Sequence, residues 1–261
     1  MIKPGKFGLC RARKNLDGKL HSMTYGEFTS IHLDPIEKKP LYHFYPGTQI
    51  LSVGTIGCNF KCSFCQNWEI SQSNYGDIPM QKLTKEEALA LAKERNSIGI
   101  AYTYNEPLIN YEWVYEASQY FRKNGMKNVL VSNGYIMKEP LLELVKYLDA
   151  ANIDVKAFNN TFYKELCAGK LDIVLDNVKT MIESEVHVEL TTLLIPGQND
   201  SMKEISALVD WVAELNPEIP LHFSRYFPQY RMSEPMTPID TMEEAHNIAK
   251  KKLKYVHIGN V

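Results

Sequence analysis

Three closely spaced cysteines are the residues of this sequence best suited to chemistry. Cys58, Cys62 and Cys65 follow one another as Cys-x3-Cys-x2-Cys, within eight positions. Thiols this close along the chain can converge on one soft metal centre. The other two cysteines, Cys10 and Cys167, are far away in sequence. We therefore expect no fourth thiol ligand from neighbouring positions.

The missing fourth ligand favours one kind of site. A structural zinc site closes with four ligands, usually as two spaced pairs, and this loop offers no second pair. Iron–sulfur clusters also bind thiolates. A [4Fe-4S] cube held by three cysteines leaves one iron open to a ligand that is not protein. The loop thus predicts such a cluster, with a non-catalytic metal-thiolate site, zinc included, as the alternative.

Alternating strands and helices must position this loop. From Thr48 onwards, extended apolar runs predict strands at 49–56, 98–104, 128–132, 151–155, 186–194, 220–226 and 255–258. Helical patterns between them predict helices at 84–95, 108–123, 139–148, 171–184, 201–215 and 241–253. Capping boxes at Thr84, Ser201 and Thr241 support three of the helix starts. Strict alternation of this kind predicts a parallel sheet with helices outside it.

The available length limits the architecture. Residues 48–261 allow about seven units of roughly 30 residues each, whereas a closed eightfold barrel usually needs ~250 residues. We expect an α/β fold, a partial (β/α)6 TIM-type barrel of about six strands. Residues 1–47 do not show the alternating strand and helix patterns of the later residues. Asp17-Gly18 between extended runs is typical of a hairpin. They are predicted to form an N-terminal hairpin and wrapping arm, with the barrel at 48–261.

Composition and net charge indicate which partners and which cellular compartment to expect. The 261 residues are 44% hydrophobic, with 29 Lys+Arg against 31 Asp+Glu and a net charge of -2. This balance gives no reason to expect nucleic acid or a membrane surface as a partner. No apolar run reaches the ~20 residues of a membrane span, and no export leader opens the chain. Because clustered cysteines suit a reducing compartment, we expect a cytoplasmic protein.

The cysteine motif, with Phe64 just before its last cysteine, resembles the radical S-adenosylmethionine (SAM) superfamily. In that superfamily the loop also follows the first strand of a partial (β/α)6 barrel. The resemblance implies a [4Fe-4S] cluster whose open iron binds the amine and carboxylate of SAM. One electron, from a donor such as flavodoxin or ferredoxin, would cleave SAM to methionine and a 5'-deoxyadenosyl radical. That radical would abstract hydrogen from a substrate.

Polar residues at other predicted strand ends resemble SAM contacts of the family. Asn105-Glu106-Pro107 is similar to the Gly-Gly-Glu-Pro segment that holds the methionyl ammonium. Ser132-Asn133-Gly134 resembles the Thr-Asn-Gly of glycyl-radical-enzyme activases, and Asp154-Val155-Lys156 resembles their Asp-x-Lys. Alternation along a strand points Asp154 and Lys156 to the same side. The structural alternatives are a helix cap, a turn and a strand-end ion pair.

His222, on the sixth predicted strand, is a further candidate for a cofactor or substrate contact. The alternative is a histidine with a structural role in the core. The implied cofactor-binding set is therefore Phe64, Asn105, Glu106, Ser132, Asn133, Asp154, Lys156 and His222, beside the cluster ligands.

Two long stretches narrow the branch of the superfamily. Residues 34–47 and 58–68 look like the radical enzyme of the AmmeMemoRadiSam system, which is allied to pyruvate formate-lyase activating enzymes. The resemblance leaves two substrate classes open. One is a glycine in a loop of a partner enzyme, and the other is a small molecule or another protein residue.

Overall fold

An eight-stranded sheet forms the centre of the protein, which a computed structural model describes over residues 2–261. In chain order the strands are β1 (Arg13–Leu16), β2 (Lys19–Ser22), β3 (Glu27–Phe28), β4 (Ser30–Pro35), β5 (Gln49–Gly54), β6 (Gln81–Lys82), β7 (Gly99–Tyr102), β8 (Lys127–Ser132), β9 (Ala150–Asp154), β10 (His187–Leu194), β11 (Leu221–Arg225) and β12 (Val256–Gly259). The sheet order is β12-β11-β10-β9-β8-β7-β5-β4. Strands β5 and β7–β12 run parallel, and β4 pairs antiparallel with β5.

The predicted α/β partial barrel is confirmed. Strands β12 and β4 are the two edges of the sheet, and within residues 2–261 no strand pairing joins them. The described sheet has one parallel strand more than the expected six, since β12 pairs with β11 through Leu221 and Val256. The carboxyl ends of the parallel strands meet at one rim, where polar residues follow several strands.

Helices cover the outside of the sheet. They are α1 (Trp68–Ser71), α2 (Lys85–Glu94), α3 (Tyr111–Lys123), α4 (Lys138–Leu144), α5 (Asn160–Phe162), α6 (Leu171–Glu183), α7 (Met202–Leu215) and α8 (Ile239–Lys250). Short 3-10 turns lie at Ile36–Lys38, Pro107–Asn110 and Val145–Tyr147, and a π-helical turn lies at Tyr163–Cys167. No helix among the described residues is both long and apolar enough to cross a bilayer.

The three predicted capping boxes had different outcomes. Thr84 and Glu87 form the complete reciprocal box at the start of α2. Ser201 caps α7, but the carboxylate of Glu204 instead accepts hydrogen bonds from Phe158 and Asn159. The box at Thr241 is wrong, because α8 begins earlier, at Ile239.

The amino-terminal residues form a hairpin outside the barrel and a segment at the amino-terminal ends of its strands. The predicted hairpin is confirmed as β1 and β2, joined at Leu16 and Lys19. The segment of residues 36–47, here called the arm segment, crosses the barrel at the amino-terminal ends of its strands. Its Pro40 carbonyl accepts the amide of Asn152 on β9 at 2.8 Å. The arm segment thus lies at the end of the barrel opposite the polar rim.

Candidate active site

The cysteine loop begins where β5 reaches the rim. Gly57 starts it with φ +89°, and a Cβ there would lie 2.2 Å from the carbonyl oxygen of Cys10, so only glycine fits. Asn67 then donates its amide to the carbonyl of Tyr104 at 2.7 Å. The loop therefore packs closely against Cys10, just before the amino-terminal hairpin, and is hydrogen-bonded to the segment that follows β7.

The three cysteines and most of the predicted cofactor contacts line one cavity. Its volume is about 350 Å³. The predicted residues that line it are Cys58, Cys62, Cys65, Phe64, Asn105, Glu106, Ser132, Asn133, Asp154 and Lys156. Thr191 on β10 and Ser224 on β11 line it as well. The strand ends singled out in the sequence therefore converge.

Glu106 is the buried carboxylate of this cavity, with 2% of its surface exposed. Its Oε1 accepts hydrogen bonds from the Leu108 N–H and the Ser132 hydroxyl, both at 2.9 Å. Its Oε2 accepts the Asn133 N–H at 2.9 Å. Burial raises the pKa of Glu106 to about 7, although these hydrogen bonds and Lys156 act in the opposite direction. A cation bound beside it would shift it to the carboxylate form.

Two asparagine side chains connect strand ends to the cysteine loop. The Asn105 carbonyl oxygen accepts the Thr55 N–H, and its amide donates to the Gly57 carbonyl, both at 2.9 Å. The Asn133 amide donates to Asn59 Oδ1 at 2.8 Å and lies 3.7 Å from Cys58 Sγ. Asn105 thus fixes the loop backbone, and Asn133 also contacts a predicted ligand sulfur.

Asp154 and Lys156 meet at the end of β9, as strand alternation predicted. Lys156 Nζ donates to Asp154 Oδ2 at 2.9 Å, with 17% of the Lys156 side chain exposed. Burial lowers the pKa of Lys156, but Asp154 and nearby thiols raise it more, so it stands well above its ordinary value. The ammonium therefore keeps its charge within the cavity.

The thiols of the loop differ in their surroundings. Burial and the neighbouring Glu106 raise the pKa of Cys58 well above its ordinary value, and burial also raises the pKa of Cys65. Cys62 is different, because the neighbouring thiol of Cys167 lowers its pKa. The same contact raises the pKa of Cys167.

Cys167 was not anticipated as a neighbour of the loop. It ends the π-helical turn Tyr163–Cys167 and is fully buried. Lys61 N–H donates to the Cys167 carbonyl at 2.8 Å, and Ser63 N–H donates to the Leu166 carbonyl at 3.2 Å. The two chain segments therefore run side by side around Cys62. Sequence separation concealed this contact, since nothing in the local pattern of residues 163–167 points to the loop.

His222 lies outside the cavity lining. It is the second residue of β11, near the amino-terminal end of the strand, and its Nε2 is 2.7 Å from Glu189 Oε2. Glu189 is fully buried and also accepts the backbone N–H groups of Tyr42 and His43 in the arm segment. The structure thus places His222 in a polar cluster beneath the cavity, where it holds the arm segment through Glu189.

The sequence matches the Radical SAM superfamily over residues 52–209, more than half of the chain. The chain belongs to this superfamily. The matched region contains the cysteine loop and the strand ends that line the cavity. As a radical SAM protein, the chain is an enzyme of radical chemistry, and the family implies SAM and an iron–sulfur cluster in general.

Relatives and a solved structure agree with this family. The chain is 47% identical along its whole length to the uncharacterized protein MJ0808 of Methanocaldococcus jannaschii, and covers 78% of it. It is 27% identical to the 4-hydroxyphenylacetate decarboxylase activating enzyme of Clostridium scatologenes, over 44% of the chain and 37% of that enzyme. A domain of pyruvate-formate lyase-activating enzyme from Bacteroides vulgatus matches with a TM-score of 0.55 and 20% identity, over 62% of the chain and 99% of the domain. The predicted resemblance to activating enzymes is confirmed.

Proposed function

We propose that the protein binds a [4Fe-4S] cluster through Cys58, Cys62 and Cys65 and reductively cleaves SAM for hydrogen abstraction. The observation that carries this proposal is the single cavity shared by three thiols and the strand-end residues Glu106, Asn133, Asp154 and Lys156. Three separate thiols suit a cube, because each of its irons takes one thiolate.

The cavity residues also suit the methionyl part of SAM. Glu106, buried and held by three hydrogen bonds, provides a carboxylate for the amine. The paired Lys156 and Asp154 offer a cation for a carboxylate and an acceptor for ribose hydroxyls. When bound, the cluster supplies the electron that converts SAM to methionine and a 5'-deoxyadenosyl radical. The chain itself orients SAM, excludes water and keeps the charges in place.

We further propose that the substrate is a backbone glycine of a partner enzyme, as in glycyl radical enzyme activation. Support comes from the relative named as a decarboxylase activating enzyme. A second candidate is modification of a small molecule or another protein residue, as in the AmmeMemoRadiSam branch. The stretches 34–47 and 58–68, which resemble the radical enzyme of that branch, favour this candidate. A one-electron carrier such as flavodoxin or ferredoxin would serve either reaction.

The test of the core proposal is SAM cleavage by the anaerobically reconstituted protein. With dithionite as reductant, we expect 5'-deoxyadenosine and methionine in equal amounts by liquid chromatography and mass spectrometry. Cys65→Ala should lose both the cluster and the products, since two thiolates cannot hold the cube, whereas Cys10→Ala should keep both. A wild-type cluster that is confirmed by absorbance and EPR but yields no 5'-deoxyadenosine would contradict the proposal.

Deuterium transfer separates the two substrate classes. A candidate glycyl radical enzyme is labelled with α-deuterated glycine and incubated with the protein and SAM. Activation predicts deuterium in 5'-deoxyadenosine and a glycyl EPR signal on the partner. Product without deuterium, together with label gained from deuterated small-molecule extracts, would favour the second candidate.

A further inference from the structure

The amino-terminal hairpin carries a mixed apolar and basic face. Residues 5–8 run antiparallel along the second edge of β1, so three chain segments lie side by side. Side chains alternate along a strand, and residues directly opposite each other on paired strands share one side. One side therefore carries four residues, here called the hairpin face: Phe7, Lys14, Leu16 and Lys19. Phe7 and Leu16 are 41% and 37% exposed, so the apolar part of this face is open to solvent.

Positive charge is concentrated in the same segment. Residues 3–19 contain six Lys or Arg and one Asp, although the whole chain has 29 Lys+Arg and 31 Asp+Glu. Within residues 2–261, Arg13 is the one cation of this segment in an ion pair, and it lies on the other side of the hairpin. Lys14 Nζ lies 5.4 Å from the ring centre of Phe7, and Lys19 is exposed. The hairpin face thus presents positive charge next to apolar side chains, on a chain that is otherwise acidic.

The segment that leads into the hairpin lies directly beside the cysteine loop. The Cys10 carbonyl packs against Gly57, the residue that starts the loop. Arg11 donates to the Gln72 carbonyl, and the Gln72 amide donates to the Phe60 carbonyl inside the loop at 3.3 Å. These contacts reach the loop backbone on both sides of its first cysteine. A cluster held by the loop would therefore lie close behind the hairpin.

Reduction of a cluster at this place requires an external electron. The cavity side of the loop is lined by Glu106, Asp154 and Lys156, which the proposed function assigns to SAM. A protein that donates the electron must then approach from outside the barrel, and it must dock near the loop because electron transfer slows steeply with distance. The hairpin face is a basic and apolar surface in that position. Aromatic contacts with charges around them are typical of protein–protein interfaces, and opposite charges accelerate the encounter.

We propose that the hairpin face is the docking surface of an acidic one-electron carrier protein that reduces the cluster. This inference rests on the proposed function, because it requires a cluster at the loop. The carrier loses one electron and the cluster gains it, so no covalent bond forms or breaks in this step. Steering by opposite charges raises association rates about 10- to 1,000-fold and is screened by salt. The hairpin cations act on the encounter with the carrier and not on SAM.

The experiment compares two reductants on the reconstituted wild-type protein and on Lys14→Glu/Lys19→Glu. One is a reduced flavodoxin of negative net charge, below saturation, and the other is saturating dithionite. We expect the flavodoxin-driven rate of 5'-deoxyadenosine formation to fall about tenfold or more in the variant, and the dithionite-driven rate to stay the same. The wild-type rate with flavodoxin should fall as salt is raised, whereas the variant should respond much less.

Two control variants and a binding measurement accompany these rates. Lys14→Arg/Lys19→Arg retains both charges and should keep the wild-type rate with flavodoxin. Lys179→Glu/Lys251→Glu changes the net charge by the same amount at exposed positions, on α6 and directly after α8, and should also keep it. Surface plasmon resonance measures binding of flavodoxin to the cluster-free proteins, and this binding should weaken in the hairpin Glu variant and not in the controls.

Several outcomes would overturn the docking surface. One is an unchanged flavodoxin rate in Lys14→Glu/Lys19→Glu, and another is an equal fall in Lys179→Glu/Lys251→Glu. If the hairpin Glu variant also loses dithionite-driven cleavage, the neutral Lys14→Gln/Lys19→Gln takes its place, and an unchanged flavodoxin rate there has the same meaning. Binding to vesicles of equal parts phosphatidylglycerol and phosphatidylcholine, without binding to flavodoxin, would make the hairpin face a membrane contact instead.

Failure of the proposed function gives a different result. A wild-type protein with a confirmed cluster that cleaves no SAM with dithionite would contradict the proposed function, while flavodoxin binding tests the hairpin face by itself. Normal cleavage with dithionite, together with flavodoxin binding that does not depend on Lys14 and Lys19, would contradict the docking surface alone.

Discussion

The hydroxyl of Ser132 and the carboxylate of Glu106 lie 2.9 Å apart, although the two residues lie at the ends of different strands. Ser132 ends β8, and Glu106 follows β7 and caps the 3-10 turn Pro107–Asn110. The bond holds Glu106 Oε1 against the rim while Asn133 N–H holds Oε2. The carboxylate is thus oriented before any ligand arrives. The role of its negative charge in SAM binding can be tested by substitution.

Glu106→Gln should weaken SAM binding. The amide keeps the size of the side chain but cannot carry a negative charge, and its NH2 group would face N–H donors. A hydrogen bond to a charged group contributes about 1.5–3 kcal/mol, so we expect the dissociation constant to rise about 10- to 100-fold. Anaerobic calorimetry on the reconstituted protein measures this. Glu94→Gln, at an exposed position on α2, is the matched control and should bind as the wild type does.

SAM binding should also depend on pH through Glu106. Because burial raises its pKa to about 7, the carboxyl is largely protonated at pH 6. Its contribution to the stability of the ligand-free fold is present below its ordinary pKa and is lost as pH rises through about 7. Binding of an amine requires the opposite form, so affinity should rise with the ionised fraction of Glu106, about fivefold between pH 6 and pH 7.

Calorimetry in two buffers of different ionisation enthalpy checks this pH effect. Wild-type protein should release a proton on binding SAM at pH 6, and Glu106→Gln should show a weaker pH dependence. Equal pH dependence in both proteins would assign the titration to another group.

The sequence allowed more of the residues at the rim of the cavity to be predicted than of the residues beneath it. Glu106, Ser132 and Asp154 were predictable because the parallel topology brings strand ends together whatever the details of packing. Cys167 and the Glu189–His222 pair were not, since their contacts depend on how distant turns pack in three dimensions. The early start of α8 also escaped prediction, because Thr241 and Glu244 match a capping box, whereas the helix begins at Ile239 after Pro238 with no side-chain cap.

Asp154→Ala and Lys156→Ala should each weaken SAM binding without loss of iron. The two side chains are bonded to each other at 2.9 Å and line the cavity, whereas neither is a predicted cluster ligand. We expect roughly tenfold or larger increases in the dissociation constant, the size of one charged hydrogen bond. Lys164→Ala, at an exposed position nearby in sequence, is the control. Unchanged affinity in both variants would identify the pair as structural.

Lys39→Met should destabilise the protein through the arm segment. Lys39 Nζ bonds Asp34 Oδ2 at 2.7 Å, and 2% of the lysine side chain is exposed. Without Lys39, the Asp34 carboxylate keeps only the Tyr104 hydroxyl and the exposed Lys38 as partners, so we expect a loss of up to about 3–5 kcal/mol. Urea unfolding measures the loss. Lys38→Met is the matched control, since 68% of its side chain is exposed and we expect a change within about 0.5 kcal/mol. Equal effects in the two variants would contradict the buried role of Lys39.

His222→Ala should show that the polar cluster beneath the cavity contributes to stability and not to SAM binding. The ring bonds Glu189, whose carboxylate is fully buried and also holds the backbone of Tyr42 and His43. Loss of the ring leaves a buried acceptor with one partner fewer, so we expect the free energy of unfolding to fall by about 1–3 kcal/mol.

SAM affinity should stay the same in this variant, because His222 does not line the cavity. His21→Ala, at an exposed position on β2, should change neither quantity. Urea unfolding and calorimetry on the same preparations measure the free energy of unfolding and the SAM dissociation constant. A dissociation constant raised as much as in Asp154→Ala, with unfolding unchanged, would make His222 a cofactor contact and place SAM deeper in the barrel than the rim residues indicate.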